Sequence, residues 1–273
     1  MRSREARHLL GWIVAITAGA GGLHCVFSPE DQGASRVPLD APVVFKLIES
    51  HSPYQPGAPV MFLTMNTERE YGCVNYAILT NISIRQHIIE VSLLGVGVPE
   101  VCLTAIGPAW SRHELHLRNG DYGLRFRRGK QVDDYSIAVS DSSVVITGEP
   151  GEISRPLAGV FWRFPVNSFA YLCGATKETS WVCDAFADSL LTTLPLVEFY
   201  FPDVGVRPYP AETQGHYFDT PARYFRYERS EDFTRAGELL RRFNQRVLES
   251  MVGVNIWLEN WRGEYYRSWL FSG

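Results

Sequence analysis

The segment Gly215-His216-Tyr217-Phe218-Asp219-Thr220, with Asp203 before it and Arg223 and Arg226 after it, brings an imidazole, two carboxylates and two guanidinium groups into a short stretch. Histidine titrates near neutral pH, so His216 oriented by Asp219 or Asp203 would make a general base for hydrolysis. The same residues also suit a loop whose imidazole hydrogen-bonds locally, and one His near one Asp does not separate the two readings. A second group is aromatic: Trp257, Trp261, Tyr265, Tyr266 and Trp269 crowd around a turn at Arg262-Gly263. Strand alternation puts Trp257 and Trp261 on one face of such a hairpin, while Tyr265 and Trp269 share theirs. One face must cover a core. The other, if open, offers Trp257, Trp261, Tyr265 and Trp269 as a platform for sugar faces or a partner protein, with Glu259, Asn260 and Arg262 as polar neighbours.

Four of the five cysteines form a third group. They bracket two local segments, Cys73 with Cys102 and Cys173 with Cys183, and an exported chain would oxidise them. Four cysteines allow three connectivities, and pairing by proximity selects these two. In the chain-entropy account such loops contribute about 3.6 and about 2.8 kcal/mol, as upper figures. The spacings are unlike the C-x-x-C knuckles of zinc sites, so no metal is expected.

Complete catalytic signatures are missing. There is no G-x-S-x-G elbow, phosphate-binding P-loop, full G-x-G-x-x-G or H-E-x-x-H, and no cofactor is expected. Gly95-Val96-Gly97 stops short, with Glu100 where a third glycine would stand. His113 and His116 are three apart, which in a strand places them on opposite faces. A net charge of -4 gives no reason to expect nucleic acid as a partner. This inventory favours binding over catalysis.

Two compact units are the natural division of 273 residues, and a hydrophobic content of 45% is enough for each to bury a core. From residue 43 to 148 the chain reads as short β-branched runs separated by turns, with strands expected at 43–48, 60–65, 76–84, 87–94, 101–106, 113–117, 122–127, 134–139 and 143–147. Asn119-Gly120, between two alternating runs, has the positive-φ residues of a tight hairpin, and Ser140-Asp141-Ser142 marks another turn. With its Asn119-Gly120-Asp121-Tyr122 hairpin, this region resembles the immunoglobulin-like or fibronectin-like β-sandwich modules of exported bacterial proteins. The resemblance implies a spacer, docking or binding module and no catalytic residue.

Glu149-Pro150-Gly151-Glu152 is the expected boundary, and 24 of the 35 aromatic residues lie beyond residue 155. Strands are expected at 160–164, 196–201, 222–228, 254–261 and 264–271, with a short helix at 184–192. A longer helix follows Ser230 as N-cap, with Glu231 and Asp232 in its first turn and Phe233, Ala236, Leu240, Phe243, Val247 and Met251 on one face. This order fits an α+β domain over residues 155–273, with helices on one face of an antiparallel sheet. The fold class is therefore mainly β, a sandwich followed by that α+β domain.

At the other end, Arg2, Arg4 and Arg7 precede an apolar run from Leu9 and the small residues Ala18-Gly19-Ala20. That is the layout of a signal peptide cleaved after Ala20, within an N-terminal segment 1–25. Lipidation at Cys25 and a retained membrane anchor over 9–27, about 19 residues long, are the alternatives. The sequence thus points to an exported bacterial envelope protein, periplasmic or at the cell surface. It is expected to bind a partner protein or glycan without catalysing a reaction. An envelope hydrolase built on His216 and an anchored accessory subunit of a membrane complex are the other two readings.

Overall fold

The computed structural model describes residues 35–51, 57–211 and 218–271. The signal or anchor segment, Cys25 and His216 lie outside the described residues. Strands account for 47% of the structure and helices for 16%, which makes the protein mainly β. No helix among the described residues is long and apolar enough to cross a membrane.

Eleven strands form the first sheet: β1 (Arg36–Val37), β2 (Val43–Ser50), β3 (Val60–Tyr71), β4 (Ala77–Arg85), β5 (Ile88–Gly97), β6 (Gly107–Leu115), β7 (Gly120–Arg128), β8 (Gln131–Val139), β9 (Ser143–Thr147), β10 (Ser154–Pro156) and β11 (Val160–Trp162). Their order is β10-β2-β3-β6-β4-β5-β7-β8-β9-β11, with β1 added on β5. Alternation drives the folding of this sheet. β2 and β8 bury every second residue, so each has one apolar face that needs a partner. The faces meet: Phe45 of β2 lies 4.7 Å from Phe126 of β7 and 5.1 Å from Tyr135 of β8, ring centre to ring centre. The result is sandwich-like, with one shared core.

Three expectations for this region need correction. Residues 101–106 are not a strand. They form an exposed loop tied down by the Cys73–Cys102 disulfide, with Val101 and Ile106 73% and 75% exposed. β-branched composition alone suggested a strand, but the loop finds its hydrogen bonds elsewhere: the Asn75 amide donates to the Val101 carbonyl at 2.7 Å and accepts the Leu103 N–H at 3.1 Å. Asn119-Gly120 does not close a hairpin either. β6 pairs with β3, whereas β7 pairs with β8 and, in parallel, with β5, so the dipeptide serves a crossover between the two layers. The hairpin turn after β7 falls instead at Gly129-Lys130, where Gly129 has a φ of +60°.

The first sheet also continues past Glu149-Pro150-Gly151-Glu152. The buried Asp133 carboxylate accepts the N–H groups of Glu152 and Ile153 at 3.2 and 3.0 Å and the Ser154 hydroxyl at 2.8 Å. A Cβ on Gly151 would lie 2.0 Å from that carboxyl carbon, so only glycine fits. β10 then pairs with β2 and β11 with β9.

The second sheet has the order β13-β15-β12-β16-β17, with β14 also on β12. It comprises β12 (Ser168–Ala175), β13 (Val197–Phe199), β14 (Phe218–Asp219), β15 (Arg223–Arg226), β16 (Asn255–Asn260) and β17 (Tyr265–Arg267), all antiparallel. The central strand β12 is buried throughout, which requires a cover on both faces. Helices α1 (Trp181–Thr193) and α2 (Ser230–Arg246) supply one cover, over Phe169, Tyr171, Cys173, Ile256 and Leu258. Cys173–Cys183 ties β12 to α1. Disulfides of this kind persist in non-reducing compartments.

Two details of the second region differ from expectation. The cap of α2 is Arg229, whose N–H donates to the buried Asp232 carboxylate at 3.2 Å, so Ser230 already lies within the helix. The last strand is three residues long and passes into a 3-10 turn, Ser268–Leu270. There the Ser268 hydroxyl accepts the Ile256 N–H at 3.0 Å, which ends the strand pairing while keeping the segment on β16.

Candidate binding site

The β16–β17 hairpin has two faces of different character. Ile256, Leu258 and Tyr266 point toward the helices, and Tyr266 seats on α2 at Gly237, where an added Cβ would meet its ring at 2.5 Å. That seating fixes the hairpin. Trp257 lies opposite Arg267 and Glu259 opposite Tyr265, so these four share the other face. Trp269 joins them from the 3-10 turn two residues beyond Arg267. The Arg267 guanidinium carbon sits 4.4 Å from the Tyr265 ring centre, 4.5 Å from Trp257 and 5.5 Å from Trp269. All three distances fall within the range of cation–π attraction. Tyr265 is 49% exposed and Trp269 46%, so the cluster opens to solvent.

Polar groups in the cluster are incompletely partnered. The Arg267 Nε and Trp257 Nε1 atoms are buried and have no hydrogen-bond partner among the described residues. Arg267 enters none of the ion pairs found among them. Glu259 stands on the same face, and burial pushes its carboxyl above the usual range while the charge of Arg267 pulls it back. Such a carboxyl holds its proton more readily than a surface one and can donate a hydrogen bond as well as accept one.

The hairpin is also held from the first sheet. The His51 ring donates from Nε2 to the Trp261 carbonyl at 2.8 Å, and the Gly57 N–H donates to the Arg262 carbonyl at 2.8 Å. Glu49 at the end of β2 is buried and accepts both the Arg163 guanidinium and the Phe164 N–H at 2.8 Å. Buried, paired groups of this sort resist motion, so the platform stands on a rigid base.

The sequence-derived residues fall into separate places. Trp257, Tyr265 and Trp269 converge on Arg267. Trp261, just past β16, packs between the two cores of the second sheet and borders a polar groove of about 260 Å³ that also includes Asn167, Tyr227, Arg262 and Glu264. Asp203 is exposed on a loop, 3.7 Å from Arg207. Asp219 pairs with Gly174 in β14. Arg223 makes a two-pronged pair with Glu198 at 2.7 and 2.8 Å, a use that holds β15 to β13. No group of three or more metal-ligating side chains occurs among the described residues.

Arg267 is a residue of the site that motif and composition do not single out. Its position was the available signal, because it lies two residues from Tyr265 and two from Trp269 and must share their face. The chain matches no protein-family model, and neither its sequence nor its fold matches a curated protein or a solved structure.

Proposed function

We propose that this protein is an exported bacterial envelope protein that binds a glycan, without catalysis, on the open face of its β16–β17 hairpin. The observation that carries this reading is the set of solvent-open rings of Tyr265 and Trp269 around Arg267, on a hairpin anchored by both sheets. Aromatic rings standing at the surface offer flat apolar area to the C–H faces of pyranose rings, and partnerless polar groups beside them supply orientation. The first sheet then serves as a spacer of the immunoglobulin-like or fibronectin-like kind. The two disulfides support export, since they stabilise a chain only where thiols are oxidised.

The test is co-sedimentation of the purified protein with the insoluble envelope glycan of the producing cells. The wild type is expected in the pellet, and Trp269→Ala in the supernatant with an unchanged melting temperature. Equal sedimentation of the two would remove the hairpin from the account. Failure of both to sediment would turn the reading toward a protein partner.

A further inference from the structure

Arg267 is unusual in what surrounds it. A guanidinium on a protein surface ordinarily keeps its in-plane N–H groups in water or on a carboxylate. Here three ring systems lie within 4.4–5.5 Å of the guanidinium carbon, its Nε is buried without a partner among the described residues, and it joins no ion pair there. Glu259, the carboxyl on the same face, stays outside ion-pairing distance of it. Stacking on rings leaves the edge of a guanidinium free, and that edge matches the two oxygens of a carboxylate.

We infer that the hairpin site selects acidic sugars: a uronic-acid residue lays its ring on Trp269 and Tyr265 and sets its carboxylate against the free edge of Arg267. This rests on the glycan reading above and deepens it. Both halves of the ligand are required by what the site contains. Rings alone would accept any pyranose with suitable C–H faces, and a guanidinium alone would accept any anion. Together, within 4.4–5.5 Å of one another, they fit a ligand whose apolar ring and carboxylate belong to the same residue. An acidic peptide satisfies Arg267 but leaves the ring platform without a matching flat face.

The experiment is an array of uronic-acid oligosaccharides, each printed beside its methyl ester and beside a poly-glutamate spot, probed with the full-length protein. Ester and acid share the sugar ring and differ at the carboxyl, where the ester carries a methyl group in place of the charge that Arg267 would read. The wild type is expected to retain acids at least about tenfold better than esters, the scale of a charge-assisted hydrogen bond. Arg267→Gln should lose that preference while keeping residual binding to both, and Arg267→Lys should keep a weakened one, since the charge remains without the fork. A thermal melt of each variant separates loss of the site from loss of the fold. Equal retention of acid and ester, preference surviving in Arg267→Gln, or retention of poly-glutamate alone would each overturn the inference. Equal retention would leave the glycan reading standing. Retention of no sugar of any kind would overturn both.

Discussion

One face of the second sheet carries two aromatic clusters that ended up in opposite situations. At the β12–β15 side, Phe164, Phe201, Tyr209 and Tyr224 are buried together. The chain after β13 folds back over them and is pinned to the first sheet, where Val206 pairs with Phe161 and the Trp162 indole donates to the Val204 carbonyl at 2.8 Å. Within that cover the Tyr209 hydroxyl reaches the Ser168 carbonyl at 3.0 Å, and Phe201 meets Tyr224 edge-on at 5.0 Å. At the β16–β17 side, Trp257 packs half-buried against that same cluster, whereas Tyr265 and Trp269 beyond it have no such cover, and an arginine stands among the three rings. The two clusters are alike in composition. What separates them is the segment that crosses one and not the other, so an aromatic residue's role here follows from the chain that passes over it.

The sharpest way to break this comparison is to truncate one ring from each cluster. Phe201→Ala is expected to cost about 3–5 kcal/mol of stability, because it opens a cavity in a sealed core. Trp269→Ala should stay within about 1 kcal/mol of the wild type, as surface truncations usually do. Urea denaturation reads both. Similar losses in the two variants would mean that the hairpin rings are core after all.

A smaller effect distinguishes the clusters by pH. Burial raises the Glu259 carboxyl, so the folded chain binds its proton more tightly than the unfolded chain does. Its favourable contribution is full below the ordinary carboxylate value of 4.5 and is lost as pH rises through the raised folded value. Glu259→Gln should flatten that descent and leave the protein at least as stable at neutral pH. Charged Arg267, which opposes the shift, and Tyr209, whose phenol is raised far out of range mainly by burial, are the titratable neighbours to keep in view. Melting temperatures from pH 4 to 8 check this, and a variant that melts lower than the wild type at pH 7 would show that the carboxylate is used structurally.

Much of the fold was legible because period and burial coincide. β2, β8 and β9 follow alternating runs, α2 follows its apolar stripe as far as Phe243 but ends at Arg246, before Val247 and Met251, and each of the four described cysteines found its nearer neighbour. The misreadings arose where local preference and long-range pairing disagree. Asn119-Gly120 favours a hairpin, yet β6 gains more partners from β3 than from β7, and the dipeptide turns into a crossover. Val101, Leu103 and Ile106 favour a strand, but the loop they occupy is closed by a disulfide and satisfied by Asn75. At the candidate site the rings were visible as a composition, while the sorting of Trp261 away from the other three was not. Strand alternation extends only to Asn260, and Trp261 turns inward beyond it. Arg267 was readable from spacing alone.

The most direct test of the central claim is hydroxyl-radical footprinting of the aromatic side chains with and without the envelope glycan. The account predicts that Tyr265 and Trp269 react in the free protein and are protected in the complex, while Tyr200, 79% exposed on the other side of the sheet's strand order, reacts equally in both. Protection at Tyr200 with none at Tyr265 and Trp269 would contradict it and place the binding surface elsewhere.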